Sequence, residues 1–281
     1  MMKKTIAIPQ AILCMAGLLS SAAAHAEALP LWELGLGVAG ISLPDYRGSD
    51  ERSTYVLPAP YFVYRGKLLK ADRNGVRSML FDSDRVDITL GLNATLPVNS
   101  RNNAARAGME NLKPSIEVGP TMSVNLWKSS NEKMKLDFRA PLRTAITVES
   151  SPRQIGWLFS PNLNLDVRDP AGFSGWNLGL LGGILVNSRK NNAYFYSVDS
   201  AEATATRPAY AAPGGYAGSQ FTMALSKRFP RYWVGGFVRY DSLAGAVFED
   251  SPLVKKRSSV WAGFAISWIF SESSRMVTAE D

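Results

Sequence analysis

The stretch VWAGFAISWIF, residues 260–270, decides the fold, because one apolar residue occupies every second position. The side chains of one parity are all apolar, and they are Val260, Ala262, Phe264, Ile266, Trp268 and Phe270. Successive side chains of a β-strand point to opposite faces, so the pattern predicts a strand with one continuous apolar face. Its length matches the roughly 9–11 residues with which a tilted strand crosses a bilayer. Trp268 and Phe270 close it where the aromatic girdle of an outer-membrane barrel would lie.

Residues 1–26 have the features of a secretory signal peptide. Two lysines precede an apolar run over residues 6–19, and small residues lead to the sequence Ala-His-Ala at 24–26. The pattern predicts export and cleavage before Glu27. A membrane-anchoring helix is the alternative, but the apolar run is shorter than the roughly 20 residues that a spanning helix needs.

The mature chain would contain neither histidine nor cysteine, because His25 and Cys14 are the only ones and both lie in the leader. This excludes a Ser-His hydrolase, a His-ligated metal, a thiolate nucleophile and disulfides. We therefore predict no enzyme, no catalytic residue, no metal and no cofactor, although carboxylate chemistry stays formally open. Removal of two leader lysines lowers the formal net charge from +7 to +5. An excess this modest does not indicate a nucleic-acid partner.

Short alternating stretches recur along the whole mature chain, and none of them approaches the length of a transmembrane helix. The predicted strands are 32–43, 54–64, 67–71, 76–81, 86–96, 115–127, 134–148, 155–167, 176–186, 219–229, 232–241 and 258–270. Short and long connections alternate between them, as in barrels with short periplasmic turns and longer outer loops. Asn74-Gly75 is a strong hairpin signal and supplies two of these strands.

We therefore predict an all-β fold, an antiparallel transmembrane outer-membrane β-barrel of about twelve strands. Ten strands, with residues 67–81 irregular, is the alternative. The domain division is a signal peptide at 1–26, the barrel at 27–270 and a polar, mobile C-terminal tail without a strand pattern at 271–281. Within the barrel, Pro58 and Pro60 predict a kink or bulge, because proline cannot donate to a sheet ladder.

Charged side chains of both signs fall on the parity that faces away from lipid. They are Glu33, Asp87, Glu117, Asp137, Arg139, Arg143, Asp166, Arg168 and Arg239. A barrel of eight strands is filled by side chains, whereas one of about sixteen encloses an aqueous channel, so twelve is an intermediate case. Two interpretations follow: a salt-bridged plug, or a path for small solutes.

Several blocks in the longer connections resemble the MltA-interacting protein / OmpV family of outer-membrane proteins. The residues that carry the likeness are Asp45, Tyr46, Gly48 and Ser49, then Tyr194, Tyr196, Arg207 and Tyr210, and finally Asp250, Ser251 and Pro252. Each block is weak alone, but their order and spacing from about residue 32 to residue 270 are fairly specific. One departure is that Phe270, in the closing strand, is followed by further residues.

The resemblance implies a Gram-negative outer-membrane location and a non-catalytic scaffold in the cell envelope. Such a scaffold would join a membrane-bound lytic transglycosylase to a bifunctional penicillin-binding protein in peptidoglycan biosynthesis. Other branches of the family imply a small-solute or osmolyte porin, or a surface adhesin. The remaining expected partners are outer-membrane lipids and lipopolysaccharide, whose phosphates Lys255, Lys256 and Arg257 could bind. A solvated loop is the other interpretation of these three residues.

Overall fold

The computed structural model describes residues 28–72 and 75–278, and its main feature is a sheet that closes on itself. The strands are β1 Ala28–Pro30, β2 Trp32–Pro44, β3 Arg52–Arg65, β4 Leu69–Asp72, β5 Gly75–Asp82, β6 Val86–Thr95, β7 Ser115–Lys128, β8 Met134–Thr147, β9 Gln154–Phe159, β10 Asn162–Arg168, β11 Trp176–Asn187, β12 Gly215–Arg228, β13 Tyr232–Ser242, β14 Ser258–Glu272 and β15 Met276–Thr278. The predicted signal peptide lies outside the described residues.

Neighbouring strands of the barrel are antiparallel and follow chain order from β2 to β14, and β14 then pairs with β2. Both β9 and β10 pair with β8 and with β11, so they are two halves of one spanning strand. Ser160 and Pro161 separate the halves, and the single strand predicted at 155–167 is to that extent wrong. The prediction of a closed antiparallel barrel of twelve strands is confirmed, and the ten-strand alternative is wrong.

The alternation in β14 has the predicted consequence for burial. Trp268 and Phe270 point outward, with 55% and 65% of their surface exposed. Ala265, Ser267 and Ile269 point inward and are buried. None of the helices over residues 28–72 and 75–278 is long and apolar enough to cross a membrane.

Strand β3 runs straight through Pro58 and Pro60, and its register with β2 is unbroken. The kink or bulge predicted here is wrong for a reason that lies in the backbone. The N–H of Arg65 donates to the Leu31 carbonyl on the β2 side. Because backbone groups alternate along a strand, the even-numbered residues of β3 face the other way. The described residues of β3 pair with β4 only at Tyr64 and Arg65, so the prolines lie on an edge, where no ladder needs their N–H.

The two ends of the described chain pair with each other. Strand β14 continues through Glu272 after a bulge between Ile269 and Ser271. Beyond it, β15 pairs with β1 as a two-stranded ribbon. The interpretation of 271–281 as a tail without strand structure is therefore wrong for 271–272, which pair with β2, and for 276–278, which pair with residues 28–30. Residues 279–281 lie outside the described part.

The connections divide the barrel into two unlike ends. Residues 45–51, 96–114, 148–153, 188–214 and 243–257 lie at the long-loop end. Residues 66–68, 83–85, 129–133, 169–175 and 229–231 lie at the short-turn end, with the β1–β15 ribbon. Helix α1, Arg189–Tyr196, begins the connection 188–214, where the sequence predicted only an irregular loop.

Candidate functional site: a loop cap and a two-sided lumen

Four connections at the long-loop end, 45–51, 96–114, 188–214 and 243–257, pack together into a cap with an apolar core of its own. Its buried residues are Tyr46, Val98, Ala105, Leu112, Tyr196, Val198, Ala212, Ala217, Leu243, Ala246, Phe248 and Leu253. The connection 188–214 contacts 96–114, which enters from strands on another part of the barrel wall, and also contacts 45–51 and 243–257. The cap therefore spans the mouth at the long-loop end.

Tyr196, in the last turn of α1, is the centre of this cap. Its ring stacks on Phe248 at 3.8 Å between centroids and meets the edge of Tyr46 at 6.3 Å. Its hydroxyl donates to the Arg47 carbonyl at 2.9 Å, and its own carbonyl accepts from Ser251 Oγ at 2.7 Å. Burial raises the pKa of Tyr196 to about 12. Three connections are thus joined through one neutral phenol.

Arg47 joins the cap to the barrel wall below it. Its Nη1 donates to the Ala217 carbonyl at 2.7 Å, and its Nε lies 3.4 Å from a carboxylate oxygen of Asp241. Asp241 is almost fully buried and also pairs with Arg239 at 2.9 Å. Burial lowers the pKa of the Arg47 guanidinium, and the charge of Asp241 opposes that shift. The Arg47–Asp241 ion pair therefore lies at the boundary between cap and lumen, and each charge is neutralised by the other.

Two further arginines hold the connections 96–114 and 188–214 together. Arg106 is buried and donates to the Phe195 carbonyl at 3.1 Å. Arg207 donates through Nη1 to the carbonyls of Ala105 and Ala107, at 3.1 and 2.8 Å. Hydrogen bonds from a charged donor are among the stronger ones in proteins. The two guanidinium groups therefore hold these two connections together by hydrogen bonds.

The first connection is held by a polar contact and by a special backbone conformation. Asn103 Nδ2 donates to Asp45 at 2.9 Å and to Ser49 at 3.0 Å. Gly48 has φ +95°, and a Cβ at this position would lie 2.9 Å from the Leu243 side chain. The Gly48 carbonyl accepts the N–H of Lys255. The positive φ therefore favours glycine at this position, and a Cβ would also require the Leu243 side chain to shift.

The structure brings most of the family-like residues together in the cap. Besides those above, Tyr194 Oη accepts from the Lys113 N–H at 2.7 Å, and Tyr210 bridges Val198 through the backbone. Asp250 instead is exposed. Sequence reasoning missed Arg106 and Phe248, because neither belongs to a periodic pattern. Arg47 lies between the family-like residues Tyr46 and Gly48, and only its contacts reveal its role.

Inside the barrel, Glu33 forms a buried ionic cluster near the short-turn end. It is fully buried, and its carboxylate accepts from Arg65 at 2.7 Å and from Arg228 at 2.9 Å. Tyr61 donates to the same carboxylate at 3.2 Å. Arg228 also reaches Glu272 at 3.3 Å. The cluster links β2, β3, β12 and β14 with side chains that are far apart in the sequence.

The other predicted lumen charges lie mainly on one side of the barrel, on β6 to β10. Asp137 and Asp166 lie 3.5 and 3.7 Å from Arg139, and Arg143 lies 3.9 Å from Glu117. The remaining three are Asp87 on β6, Arg168 at the end of β10 and Arg239 on β13. Charges of both signs are thus interleaved rather than sorted into a single-sign ring.

The wall formed by β13, β14, β2 and β3 carries an apolar cluster in addition to the ion pairs of Glu33 and Asp241. Its buried residues are Ala39, Ala59, Tyr61, Val63, Trp233, Ala265 and Ile269. Tyr61 and Trp233 contact each other at 6.3 Å between ring centroids. The lumen wall therefore combines interleaved charges on β6 to β10 with an apolar cluster and separate ion pairs on the remaining strands.

A closed antiparallel barrel with an outward apolar belt, short turns at one end and long loops at the other defines the class of outer-membrane-type β-barrels. Within that class the family is clear. The model of "MltA-interacting protein MipA" matches residues 36–270, and the chain belongs to this family. A search of curated proteins found no match.

Solved structures with some likeness include a bacterial polysaccharide outer membrane secretin, at 10% identity over 85% of this chain and 99% of that one, with a TM-score of 0.41. The toluene transporter TbuX of Ralstonia pickettii is 12% identical over 87% of this chain and 70% of that one, with a TM-score of 0.25.

Proposed function

We propose that this chain is a non-catalytic scaffold of the Gram-negative outer membrane, with its long loops outside and its short turns in the periplasm. Its partners would be a membrane-bound lytic transglycosylase and a bifunctional penicillin-binding protein. The family supports the first partner through its name, which describes interaction with MltA. If the predicted signal peptide is removed, the remaining chain also lacks the histidine and cysteine that most hydrolytic sites use.

The observation that carries the proposal is the cap. Tyr196, Arg47 and Ser251 connect loops from different parts of the wall across the mouth, with an apolar core beneath them. A barrel built for steady diffusion of small solutes needs a wet passage at this place. A capped barrel suits a membrane anchor better than an open porin.

A scaffold for murein enzymes needs binding surface on the periplasmic side. The short turns expose little area compared with the roughly 1,200–2,000 Å² that a stable interface buries. The β1–β15 ribbon adds to it, because the Arg65 guanidinium holds Pro30 at 2.7 Å and Leu31 donates to Arg275. Three residues per strand extend the wall by roughly 10 Å. Met276 in this ribbon is about half exposed, at 51%.

The test is pull-down from chemically crosslinked cell envelopes with the full-length protein and with a variant that lacks residues 276–281. The truncation leaves every barrel strand intact. Recovery of a lytic transglycosylase with the full-length protein, and its loss with the truncated one, is the expected result. Heat-modifiable gel migration shows that both barrels are folded.

The matched control is the pair Lys255→Ala and Lys256→Ala in the cap, which should leave the recovery unchanged. If neither intact protein nor control recovers a murein enzyme, the scaffold proposal is wrong. A phenotype that maps to 96–114 and 188–214 would instead favour the porin or adhesin alternative.

A further inference from the structure

Arg143 on β8 faces the lumen without the close carboxylate partner that the arginines of the Glu33 cluster have. Arg65 and Arg228 contact Glu33 at 2.7 and 2.9 Å. For Arg143, the only carboxylate of the described chain within 4 Å is that of Glu117, which lies 3.9 Å from Nη1 and is too distant for a hydrogen bond. Its Nε is buried and has no hydrogen-bond partner in the same part of the chain. An unpaired charged donor is costly, so this guanidinium can still bind a further acceptor.

The guanidinium of Arg143 lies along the lumen wall over Gly91, two strands away on β6. A Cβ added to Gly91 would lie 3.9 Å from Nη2, and no other atom of the described chain beyond the adjacent residues comes within 4 Å of it. Packing of the wall therefore does not require glycine here. A glycine inside a strand often marks a place where a ligand approaches closely. The Arg143 side chain is 23% exposed, so a solvent-sized space lies in front of it.

Two threonines lie on the next inward row of the wall. Thr89 and Thr121 are register partners on β6 and β7, and Thr89 is two residues from Gly91. Both point inward, because their neighbours Leu90 and Met122 point outward with 40% of their surface exposed. Two residues along a strand correspond to roughly 7 Å, which leaves room for one small group between guanidinium and hydroxyls. Such a group would find donors of both kinds.

The charge around Arg143 favours a singly charged anion. Glu117 partly neutralises the guanidinium, and its carboxylate is held in place by Asn93, which donates to it at 3.1 Å. A dianion would be repelled by Glu117 about twice as strongly as a monoanion. A carboxylate also matches the planar fork of a guanidinium with two parallel hydrogen bonds. The local chemistry therefore suits an organic carboxylate better than a phosphate.

The cap determines from which end such a ligand can come. It spans the mouth at the long-loop end, whereas Thr89 and Thr121 lie on the side of Gly91 that is nearer the short turns 83–85 and 129–133. A solute from the short-turn end would therefore pass the threonines and stop at Arg143, below the cap.

We propose that Arg143, Thr89 and Thr121 form a binding site in the lumen for the carboxylate of a small organic acid. The guanidinium of Arg143 binds the two carboxylate oxygens, and the threonine hydroxyls donate to the same group. The site is closed at the cap, so it holds the solute and does not conduct it. The proposal rests on the barrel and the cap and not on the scaffold function.

The test is fluorine NMR of trifluoroacetate, a small carboxylate monoanion, with the full-length protein in nonionic detergent micelles at constant chloride concentration. Line broadening is measured against the trifluoroacetate concentration, and propionate or inorganic phosphate is then added as a competitor. The variants are Arg143→Gln, Arg143→Lys and Thr121→Val. Arg101→Gln, at an exposed position in the connection 96–114, is the control for binding to surface charges.

We expect saturable broadening that propionate reverses more strongly than dianionic phosphate does. Arg143→Gln should weaken the affinity roughly ten-fold or more, and Thr121→Val by about two- to ten-fold, as for the loss of a charged and a neutral hydrogen bond. Arg143→Lys keeps the charge without the planar fork and should lie between the unmutated protein and Arg143→Gln. Arg101→Gln should leave the affinity unchanged.

Equal broadening for Arg143→Gln and the unmutated protein overturns the proposal, and so does broadening that does not saturate. If Arg143→Gln lacks the heat-modifiable gel shift of a folded barrel, Thr121→Val decides, and an unchanged affinity in that variant overturns the site. Stronger displacement by phosphate than by propionate overturns the assignment to a carboxylate.

Discussion

Removal of the charge on Glu33 should destabilise the barrel more than removal of the charge on the exposed Glu272. In Glu33→Gln the shape is kept, but Arg65 and Arg228 lose the carboxylate that they share at 2.7 and 2.9 Å. Breaking a buried ion pair costs roughly 3–5 kcal/mol, because the remaining charge is left uncompensated. The two guanidinium side chains are 13% and 26% exposed, so water screens part of the effect. We take the lower end, about 3 kcal/mol.

The assay is guanidinium unfolding of the purified protein in detergent micelles, followed by tryptophan fluorescence. The expected result is a lower midpoint with an unchanged slope, because the same surface is exposed on unfolding. Glu272→Gln is the matched control: it removes a contact of the same Arg228, but Glu272 is 54% exposed. An exposed pair of this kind contributes at most about 1 kcal/mol. If the two variants lose the same stability, the account of the buried cluster is wrong.

Three further outcomes concern the cap. The pKa of Tyr196 lies at about 12 in the folded protein against 10.0 ordinarily, so the stability that the neutral phenol provides is complete below pH 10. Raising the pH from 10 toward 12 should remove this stability and make the loops protease-sensitive, whereas lowering the pH should not. Tyr196→Ala removes a buried ring, a change that costs roughly 3–5 kcal/mol, and should produce planar-bilayer openings that the unmutated protein and the lipid-facing control Tyr240→Ala lack. Arg207→Ala should make residues 96–114 more sensitive to limited proteolysis. The control Arg101→Ala, at an exposed position, should change this sensitivity less than Arg207→Ala does. If neither variant changes the cleavage, Arg207 does not hold the two connections together.

The strands could be predicted from the sequence because membrane and lumen impose opposite preferences on alternate residues. In β14 this separates Phe264 and Trp268 from Ala265 and Ser267 without any knowledge of the neighbouring strands. The number of strands followed from the alternation of long and short connections. Both signals are local, so a single sequence contains them.

The errors concern features that depend on a partner. Whether Pro58 disrupts a strand depends on which side its missing N–H faces, and the sequence does not contain that information. Likewise, Met276 and its neighbours form a strand only because residues 28–30 lie beside them. The cap was beyond prediction in detail because Arg106, Phe248 and similar residues come from connections without a period.

The pairing of β14 with β2 has a consequence for how the protein folds. Almost every other pair in the wall joins strands that are consecutive in the chain, whereas this seam joins residues as distant as Ser42 and Ala262. The entropy of loop closure is therefore concentrated at one place, and contacts of such long range form slowly. Circularisation should be the last step of assembly and its rate-limiting one. The Glu33–Arg228 ion pair connects the strands on the two sides of this seam and stabilises its closure. The ribbon of β1 and β15 extends the seam beyond the barrel wall.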